Sequence, residues 1–390
     1  MRKFKDLESE LIPRLIELVH YAHSKDVEIT IDAEEQDRLT LSLNIIEKLA
    51  LDKVIKNWTG FGIALQAYGK RSINVIHWIN KILDKREKMH LRLVKGAYWD
   101  YEIKHAQVFG YEDYPVYSKK SLTDISFLLC AKEILKNEKI YAKFATHNAH
   151  TISSVHQLSQ GKDYEFQRLY GMGELLYQSA EKVLNLEKKP SVYAPIGSYK
   201  DLLPYLVRRL LENGANSSFI NRLLDPETDA NWLAENPAIR IEKEKIDIPL
   251  PKNIFTERKN SSGFDLSENS NLKNLEKSIS AHKKNKINAE SIYVNRDEKE
   301  KVGQKVYSIA NNEEIGTAIF DDPTNVKSAL ENFASEKWSK YSVQERSQIL
   351  IKISDDIEKD PSELIFYLLN EAGKTIQNAI DEIREAIDCL

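Results

Sequence analysis

Residues 91–100 read LRLVKGAYWD. Leu91, Leu93 and Val94 form a short apolar run with polar sequence after it, which reads as a buried strand. Arg92 alternates with Leu91 and Leu93, so its side chain leaves the strand on the opposite face. Lys95, Gly96 and Ala97 then mark the strand's C-terminal end, where glycine lets main chain approach a ligand closely. The same unit recurs in both directions. Strands are expected at 29–31, 62–65, 143–146, 166–169 and 192–194. They run into Asp32, Gln66, Thr146-His147-Asn148, Gly171-Met172-Gly173-Glu174 and Pro195-Ile196-Gly197. Amphipathic stretches at 37–51, 73–83, 122–135 and 175–184 separate them. Strand–helix–strand alternation implies a parallel sheet with helices packed outside it. Polar groups at the C-terminal end of every strand suit the active face of a barrel, whereas a doubly wound sheet gathers them at its switch point. The reading is an α/β chain forming an incomplete (βα)8 TIM-like barrel. It is incomplete because the chain opens in a helix, with Leu7, Leu11, Leu15, Ile16 and Val19 on one face, and two initial strands are expected to be missing.

The wider composition bounds the function. With 390 residues, the chain is long enough for two or three domains. It is 42% hydrophobic and 30% charged, with a net charge of −4, so no excess of positive charge points to nucleic acid. No apolar run reaches the roughly 18 residues of a membrane span. The opening MRKFKDLESELIPRL is not expected to be a secretory signal, because it has carboxylates and no apolar centre. Cys130 and Cys389 support neither a disulfide framework nor a cysteine-rich metal site. Residues from about 253 to 295 turn rich in Ser, Asn and Lys, the composition of a connector. Beyond them a hairpin is expected, VYSIA and TAIF joined by NNEEIG, then helices at 323–333, 344–370 and 374–390.

The most pointed constellation is DLLPYLVRRLLENGANSSF, 201–219. Asp201 is expected to cap this helix, with Pro204 in the first turn and Gly214 at the C-terminal end. Leu203, Leu206, Val207, Leu210 and Leu211 form one stripe; Tyr205, Arg208, Arg209 and Glu212 form another. Two adjacent guanidinium groups suit a planar carboxylate held by paired N–H donors. A solvated basic helix with a local ion pair gives the same pattern. Arg92, inside the sheet, needs either an anionic or electron-rich ligand or a structural carboxylate such as Asp32. Asp32 itself ends a strand where catalytic carboxylates sit. Thr146, His147 and Asn148 could bind phosphate or ring nitrogens. His147 and His150 lack the further ligands a metal needs. Ala372-Gly373-Lys374-Thr375 imitates a phosphate loop, but Leu368 stands where that loop begins with glycine. Cys130 lies on an apolar stripe and reads as inert.

In order along the chain, IDAEEQDR, IALQAYGKR, LRLVKGAYWDYEIKHAQ, YPVYSKKSLTDISFLLCA, FATHNAHT, YEFQRLYGMGE and VYAPIGSYKDLLPYLVRRLLENGANSSF resemble the proline dehydrogenase domain of the bifunctional proline utilization flavoenzymes. From about residue 306, and most clearly in EAGKTIQNAIDEIREAID, the chain resembles the start of their aldehyde dehydrogenase domain. The resemblance implies a flavin barrel of the proline dehydrogenase type at 1–240, a connector at 241–300, and the beginning of an α/β aldehyde dehydrogenase domain at 301–390. It implies FAD-dependent oxidation of L-proline to Δ1-pyrroline-5-carboxylate by hydride transfer to flavin N5. NAD would serve only the full-length aldehyde dehydrogenase half, which oxidises glutamate semialdehyde to glutamate. Carried over by motif, Arg208 and Arg209 clamp the proline carboxylate and Glu212 orients an Arg. Tyr98, Tyr193 and Tyr205 wall the substrate ring. Arg92 lies beside flavin N5, supported by Asp32, while Gln66, Lys95, Gly96, Ala97, Thr146 and His147 contact FAD. No metal is implied.

Membrane quinone is the implied electron acceptor, reached from a cytoplasmic position at the inner membrane face. The family's DNA-binding region, its first barrel strands with a substrate-contacting Lys, and its aldehyde dehydrogenase cofactor motifs and catalytic Cys and Glu fall outside the matched segments. The chain alone is therefore expected to bind FAD poorly or to fold incompletely, through open sheet edges. A non-catalytic product of a split or frameshifted gene, or a part complemented by another polypeptide, stands as the alternative.

Overall fold

Short apolar runs bounded by charged turns form a parallel sheet in the computed structural model, which describes residues 7–214, 234–244, 248–291, 302–331 and 335–390. The strands β1 (Ile29–Ile31), β2 (Phe61–Gln66), β3 (Met89–Val94), β4 (Ile140–Ala145), β5 (Tyr164–Leu169) and β6 (Ser191–Tyr193) lie side by side in sequence order. Every pairing is parallel, with Ala64 opposite Arg92, Arg92 opposite Lys143, Lys143 opposite Glu165 and Leu169 opposite Tyr193. After α1 (Ile12–Ser24), which precedes β1, parallel neighbours need crossovers, and helices supply them: α2 (Leu39–Ala50), α3 (Ser72–Leu83), α4 (Trp99–Val108), α5 (Lys120–Lys136), α6 (Ala149–Ser159) and α7 (Glu174–Leu184); α8 (Tyr199–Gly214) follows β6.

Alternation along each strand separates the two faces of the sheet. Phe61, Ile63, Leu65, Leu91, Leu93, Phe144 and Phe166 pack against Val19, Leu49, Ile79, Phe127, Ile134, Val155 and Tyr177 in one continuous core. Those partners come from α1, α2, α3, α5, α6 and α7, so helices cover this face. The alternate positions, among them Thr30, Gln66, His90, Arg92, Lys143, Glu165, Gln167 and Tyr193, share the opposite face and are largely polar. Six consecutive parallel strands with helices on one side are the wall of an α/β half-barrel. Its outer strands β1 and β6 each pair on one side among the described residues.

Helix α8 starts earlier than the sequence suggests. Ser198, not Asp201, stands at its N-terminus: Ser198 Oγ donates to Asp201 Oδ2 at 2.6 Å, and the Asp201 N–H returns to Ser198 Oγ at 3.4 Å. A serine whose hydroxyl pairs with an acid three residues on outcompetes the acid as cap. Pro204 consequently lies inside the helix, past its first turn. Helix α9 (Pro237–Lys243) begins after Asn236, whose Oδ1 accepts the Ala238 N–H at 2.9 Å. Just past α9, Glu244 Oε2 accepts the Ser121 N–H at the start of α5 at 3.2 Å.

The chain divides into two units, one of residues 1–105 and 114–248, the other of 106–113 and 249–390. In the second, α10 (Asn269–Ala281) and β7 (Ile287–Glu290) occupy the stretch expected to be a loose connector. The buried residues Leu275 and Ile279 anchor α10, because they fall one turn apart and pack with Ile365, Phe366, Ala379, Ile380 and Ile383. The expected hairpin forms with longer strands, β8 (Val302–Tyr307) antiparallel to β9 (Glu314–Phe320), and β7 runs parallel to β9. Helices α11 (Pro323–Glu331) and α12 (Ser335–Lys340) follow. The single helix expected at 344–370 is two, α13 (Val343–Lys359) and α14 (Ser362–Asn370). Pro361 forces Asp360 out of the helical region, to φ −147° and ψ 88°, and Asp360 Oδ1 then accepts the Ser362 hydroxyl at 2.6 Å. The AGKT segment is the turn before α15 (Ile376–Cys389), with Thr375 capping that helix through the Asn378 N–H at 3.2 Å. No helix among the described residues is long and apolar enough to cross a membrane.

Candidate active site

The C-terminal ends of β1, β2 and β3 deliver Asp32, Gln66 and Arg92 to one place. Arg92 Nη2 donates to Asp32 Oδ1 at 2.6 Å. Asp32 is the structural carboxylate that the sequence offered Arg92. The pair is not sealed: the Asp32 side chain is 71% exposed while that of Arg92 is 19% exposed. Arg92 Nε is buried with no acceptor. A guanidinium with one donor engaged and another orphaned under an open surface is suited to a further acceptor.

Gln66 is buried and uses both ends of its amide. Nε2 donates to the Glu34 carbonyl at 2.7 Å, and Oε1 accepts the Ala97 N–H at 3.1 Å. It thereby joins the loop after β1 to the loop after β3. Within that second loop Lys95 pairs with Asp124 of α5. Gly96 has φ +141°, a conformation that side chains resist, and a Cβ added there would run into the Tyr68 ring. Tyr98 donates its hydroxyl to Glu34 Oε2 at 2.7 Å.

At the end of β4, the Thr146 carbonyl accepts the Tyr177 hydroxyl at 2.8 Å. His147 Nε2 accepts the Leu169 N–H at 3.2 Å, which places its remaining proton on Nδ1. Asn148 caps α6, its Oδ1 accepting the Thr151 N–H at 2.9 Å. Tyr193 ends β6 and its carbonyl accepts the Tyr170 N–H at 2.8 Å. Tyr205 is half-buried on α8. Arg208, Arg209 and Glu212 fall on the α8 backbone, and their side chains lie outside the described residues. Asp32, Gln66, Arg92, Lys95, Gly96, Ala97 and Tyr98 thus form one cluster at the ends of β1 to β3. Thr146, His147 and Tyr193 stand at strand ends further along the sheet.

Three buried groups on or near this face escaped the sequence reading. Lys143 Nζ sits 2.6 Å from Glu28 Oε2 and 3.7 Å from Glu165 Oε1. It alternates with Ala142 and Phe144 as Arg92 alternates with leucines, so the same pattern marks it. His90 accepts or donates at 2.7 Å with Thr30 Oγ1; burial and then the Lys143 charge push its pKa down to about 4. Glu102, on α4, accepts the Gln36 N–H at 2.7 Å and the Tyr68 hydroxyl at 3.4 Å. Only 2% exposed, it carries no local sequence signal, because its partners lie 34 and 66 residues away.

Burial pushes the Glu102 carboxyl from 4.5 up to about 7. A raised acid is protonated in the folded chain while the unfolded chain has already released its proton. Stability is therefore unaffected below about pH 4.5, falls as pH rises through the window between 4.5 and 7, and is lowest above it. The expected loss is on the order of 3 kcal/mol. Urea unfolding across this range should show that slope in the wild type and a shallower one in Glu102→Gln; equal slopes would show that Glu102 does not titrate there.

Comparison with known proteins bears on this cluster. The family model described as "Proline dehydrogenase" matches residues 2–222, and that of the aldehyde dehydrogenase family matches 293–390. The bifunctional protein PutA of Salmonella typhimurium is 39% identical over 403 residues, covering 98% of this chain and 30% of the relative. That of Rhizobium meliloti is 36% identical over 394 residues, covering 98% of this chain and 32% of the relative. The chain therefore spans about a third of the length of these relatives. A crystal structure of a variant of Bradyrhizobium japonicum proline utilization A superposes with TM-score 0.85 at 36% identity, covering 98% of this chain and 37% of that one. Another proline utilization A structure, with proline bound in remote sites, gives TM-score 0.84 at 35% identity, with the same coverage. With its half-barrel aligned to those structures and more than half its length matched by the family model, the chain belongs to the proline dehydrogenase family.

Proposed function

We propose that this chain carries the L-proline-oxidising part of a bifunctional flavoenzyme. Residues 1–240 would form the FAD-binding barrel, 241–300 the connector and 301–390 the start of an aldehyde dehydrogenase domain. The observation that supports the reading most directly is the open Arg92–Asp32 pair beside Gly96 and Ala97, at strand ends within the family match. The residues present fit a flavin: an orphaned buried guanidinium donor, the Lys95 cation and a glycine whose backbone admits close approach. Arg92, Gln66, Lys95, Gly96, Ala97, Thr146 and His147 would hold it.

When bound, FAD supplies the two-electron acceptor for the hydride that leaves the proline ring carbon next to nitrogen. The chain's side chains do the rest. Arg208 and Arg209 grip the proline carboxylate by paired N–H donors, and Glu212 fixes the orientation of one of them. Tyr98, Tyr193 and Tyr205 wall the ring and exclude water, and Asp32 holds the Arg92 guanidinium in place. Rate then comes from orientation, with no strong base required. The resulting Δ1-pyrroline-5-carboxylate would pass, after hydrolysis to glutamate semialdehyde, to an NAD-dependent aldehyde dehydrogenase half. Membrane quinone would take the electrons from a cytoplasmic enzyme at the inner membrane face.

The test is the visible spectrum of the chain loaded with FAD, recorded anaerobically with and without proline. Bleaching of the flavin band is expected, and Arg208→Met with Arg209→Met should raise the proline concentration needed by about a hundredfold or more. A loaded chain whose spectrum proline leaves unchanged overturns the reading.

A further inference from the structure

Two loops meet at the candidate site, 32–38 after β1 and 95–98 after β3, and two side chains tie them together. Gln66 is one tie, through the Glu34 carbonyl and the Ala97 N–H. Glu102 is the other. Its Oε1 accepts the Gln36 N–H at 2.7 Å, and it also receives the Tyr68 hydroxyl, whose ring lies directly against Gly96. The Gln36 carbonyl is held in turn by Arg71 Nη2 at 3.1 Å. A carboxylate accepting a main-chain N–H from one loop, and a phenol that packs under the other, fixes the distance between them.

We propose that Glu102 is a positioning residue that locks the 32–38 loop to the 95–98 loop, setting the place of Asp32 and its partner Arg92 relative to the backbone of Gly96 and Ala97, and that the lock changes with ionisation of the Glu102 carboxyl. The coupling of the loops stands on the geometry alone; its consequence for proline oxidation rests on the flavin-site reading above.

The surroundings of Glu102 favour such a switch. Asp37 and Glu35 face it from the turn after β1, Tyr68 from the loop after β2, and Tyr98 and Tyr101 from its own side. The cations of this turn are Arg38, paired with Glu35 at 3.1 Å, and Arg71, on the Gln36 carbonyl. Burial, opposed by the Gln36 N–H and reinforced by the Asp37 charge, leaves the carboxyl titrating at about 7. Two acceptors in the same turn, Asp37 Oδ1 and Gln36 Oε1, are buried without a donor. An ionised Glu102 is thus one more buried anion among unsatisfied acceptors and acids, and opening the turn to water relieves it. Protonation tightens the turn and ionisation loosens it.

Hydrogen exchange read by mass spectrometry on the full chain, without flavin, tests this at about pH 6 and about pH 8.5, corrected for the intrinsic rate. In the wild type, protection of the segment 32–38 should fall about tenfold between the two, while β4 stays protected. Glu102→Gln keeps an acceptor and cannot ionise, so its protection should not change with pH. Glu102→Ala should lose protection in 32–38 and 95–98 at both values. A Glu102→Gln chain that follows the wild-type profile, or a Glu102→Ala chain that keeps full protection, overturns the proposal. If β4 also opens in Glu102→Ala, the variant has unfolded and the glutamine variant decides. With flavin bound, Glu102→Gln should also flatten the pH dependence of proline bleaching. Absence of any bleaching would count against the proposed function and leave the exchange result standing.

Discussion

Replacing Gly96 by alanine is expected to destabilise the first unit by about 3 kcal/mol or more. Two costs combine. The φ of +141° is a conformation that a residue with a Cβ adopts only under strain. The added Cβ would also lie 2.4, 2.5 and 2.7 Å from three carbons of the Tyr68 ring, far inside van der Waals contact. The ring has nowhere to retreat. Tyr68 is 2% exposed, its N–H bonds the Lys95 carbonyl at 2.8 Å, its carbonyl accepts from Tyr117 at 2.9 Å, and its hydroxyl reaches Glu102. Relief must come from the 95–98 loop, which would part Ala97 from Gln66. Gly161→Ala is the control: its φ is also positive, at +80°, but nothing lies within 4 Å of the added carbon, so only the backbone cost of about 1 kcal/mol remains. Denaturant midpoints of the two variants decide it. Equal losses would mean that the Tyr68 contact is relieved elsewhere.

The strands and the face they share were legible because they rest on local pattern. Apolar runs ended by Asp32, Gln66 and Lys95-Gly96-Ala97 identify strand and C-terminal loop together, and the interior arginine follows from alternation in Leu91-Arg92-Leu93. Element ends were less legible, since they depend on competition among neighbours. Ser198 displaced Asp201 as a cap only because the two side chains bond each other. Pro361 divided a stretch whose apolar period runs on unbroken across it. Helix α10 was hidden because a mostly polar helix can be fixed by two buried side chains if a distant segment offers them a core. The candidate site divides in the same way. Asp32, Arg92 and the glycine could be read from their own strands. Glu102 could not, because an acid in a helix's first turn ordinarily serves the helix dipole in water, and its burial is made by a loop 66 residues away.

Lys143 is the residue whose removal should tell most about that polar face. Its side chain is 5% exposed, and Lys143→Met would leave Glu28 and Glu165 facing each other's charge with the shared cation gone. Glu28 is 58% exposed and can turn to water; Glu165, 16% exposed and tied to Gln167 Nε2 at 2.7 Å and to the Tyr141 hydroxyl at 3.3 Å, cannot. The expected loss is about 3 kcal/mol, most of it the penalty of an uncompensated half-buried carboxylate. Glu165→Gln keeps the shape and removes that charge, so the double variant Lys143→Met with Glu165→Gln should recover about 2 kcal/mol. His90 provides an independent reading of the same field. Burial first and Lys143 second hold its pKa at about 4, so the folded state keeps it neutral while the unfolded chain takes up a proton below about 6.5. Stability contributed by the neutral ring is present above that value and lost as pH falls. Without Lys143 the His90 pKa should rise, still held below the ordinary value by burial and the Arg92 charge, and the acid limb of unfolding should become shallower. Histidine chemical shifts followed with pH measure the first effect and denaturant midpoints the second. If the glutamine change rescues nothing and the imidazole titrates as before, Lys143 is a spectator whose ammonium lies in water, and the polar face owes its order to the hydrogen bonds of Tyr141 and Gln167 instead.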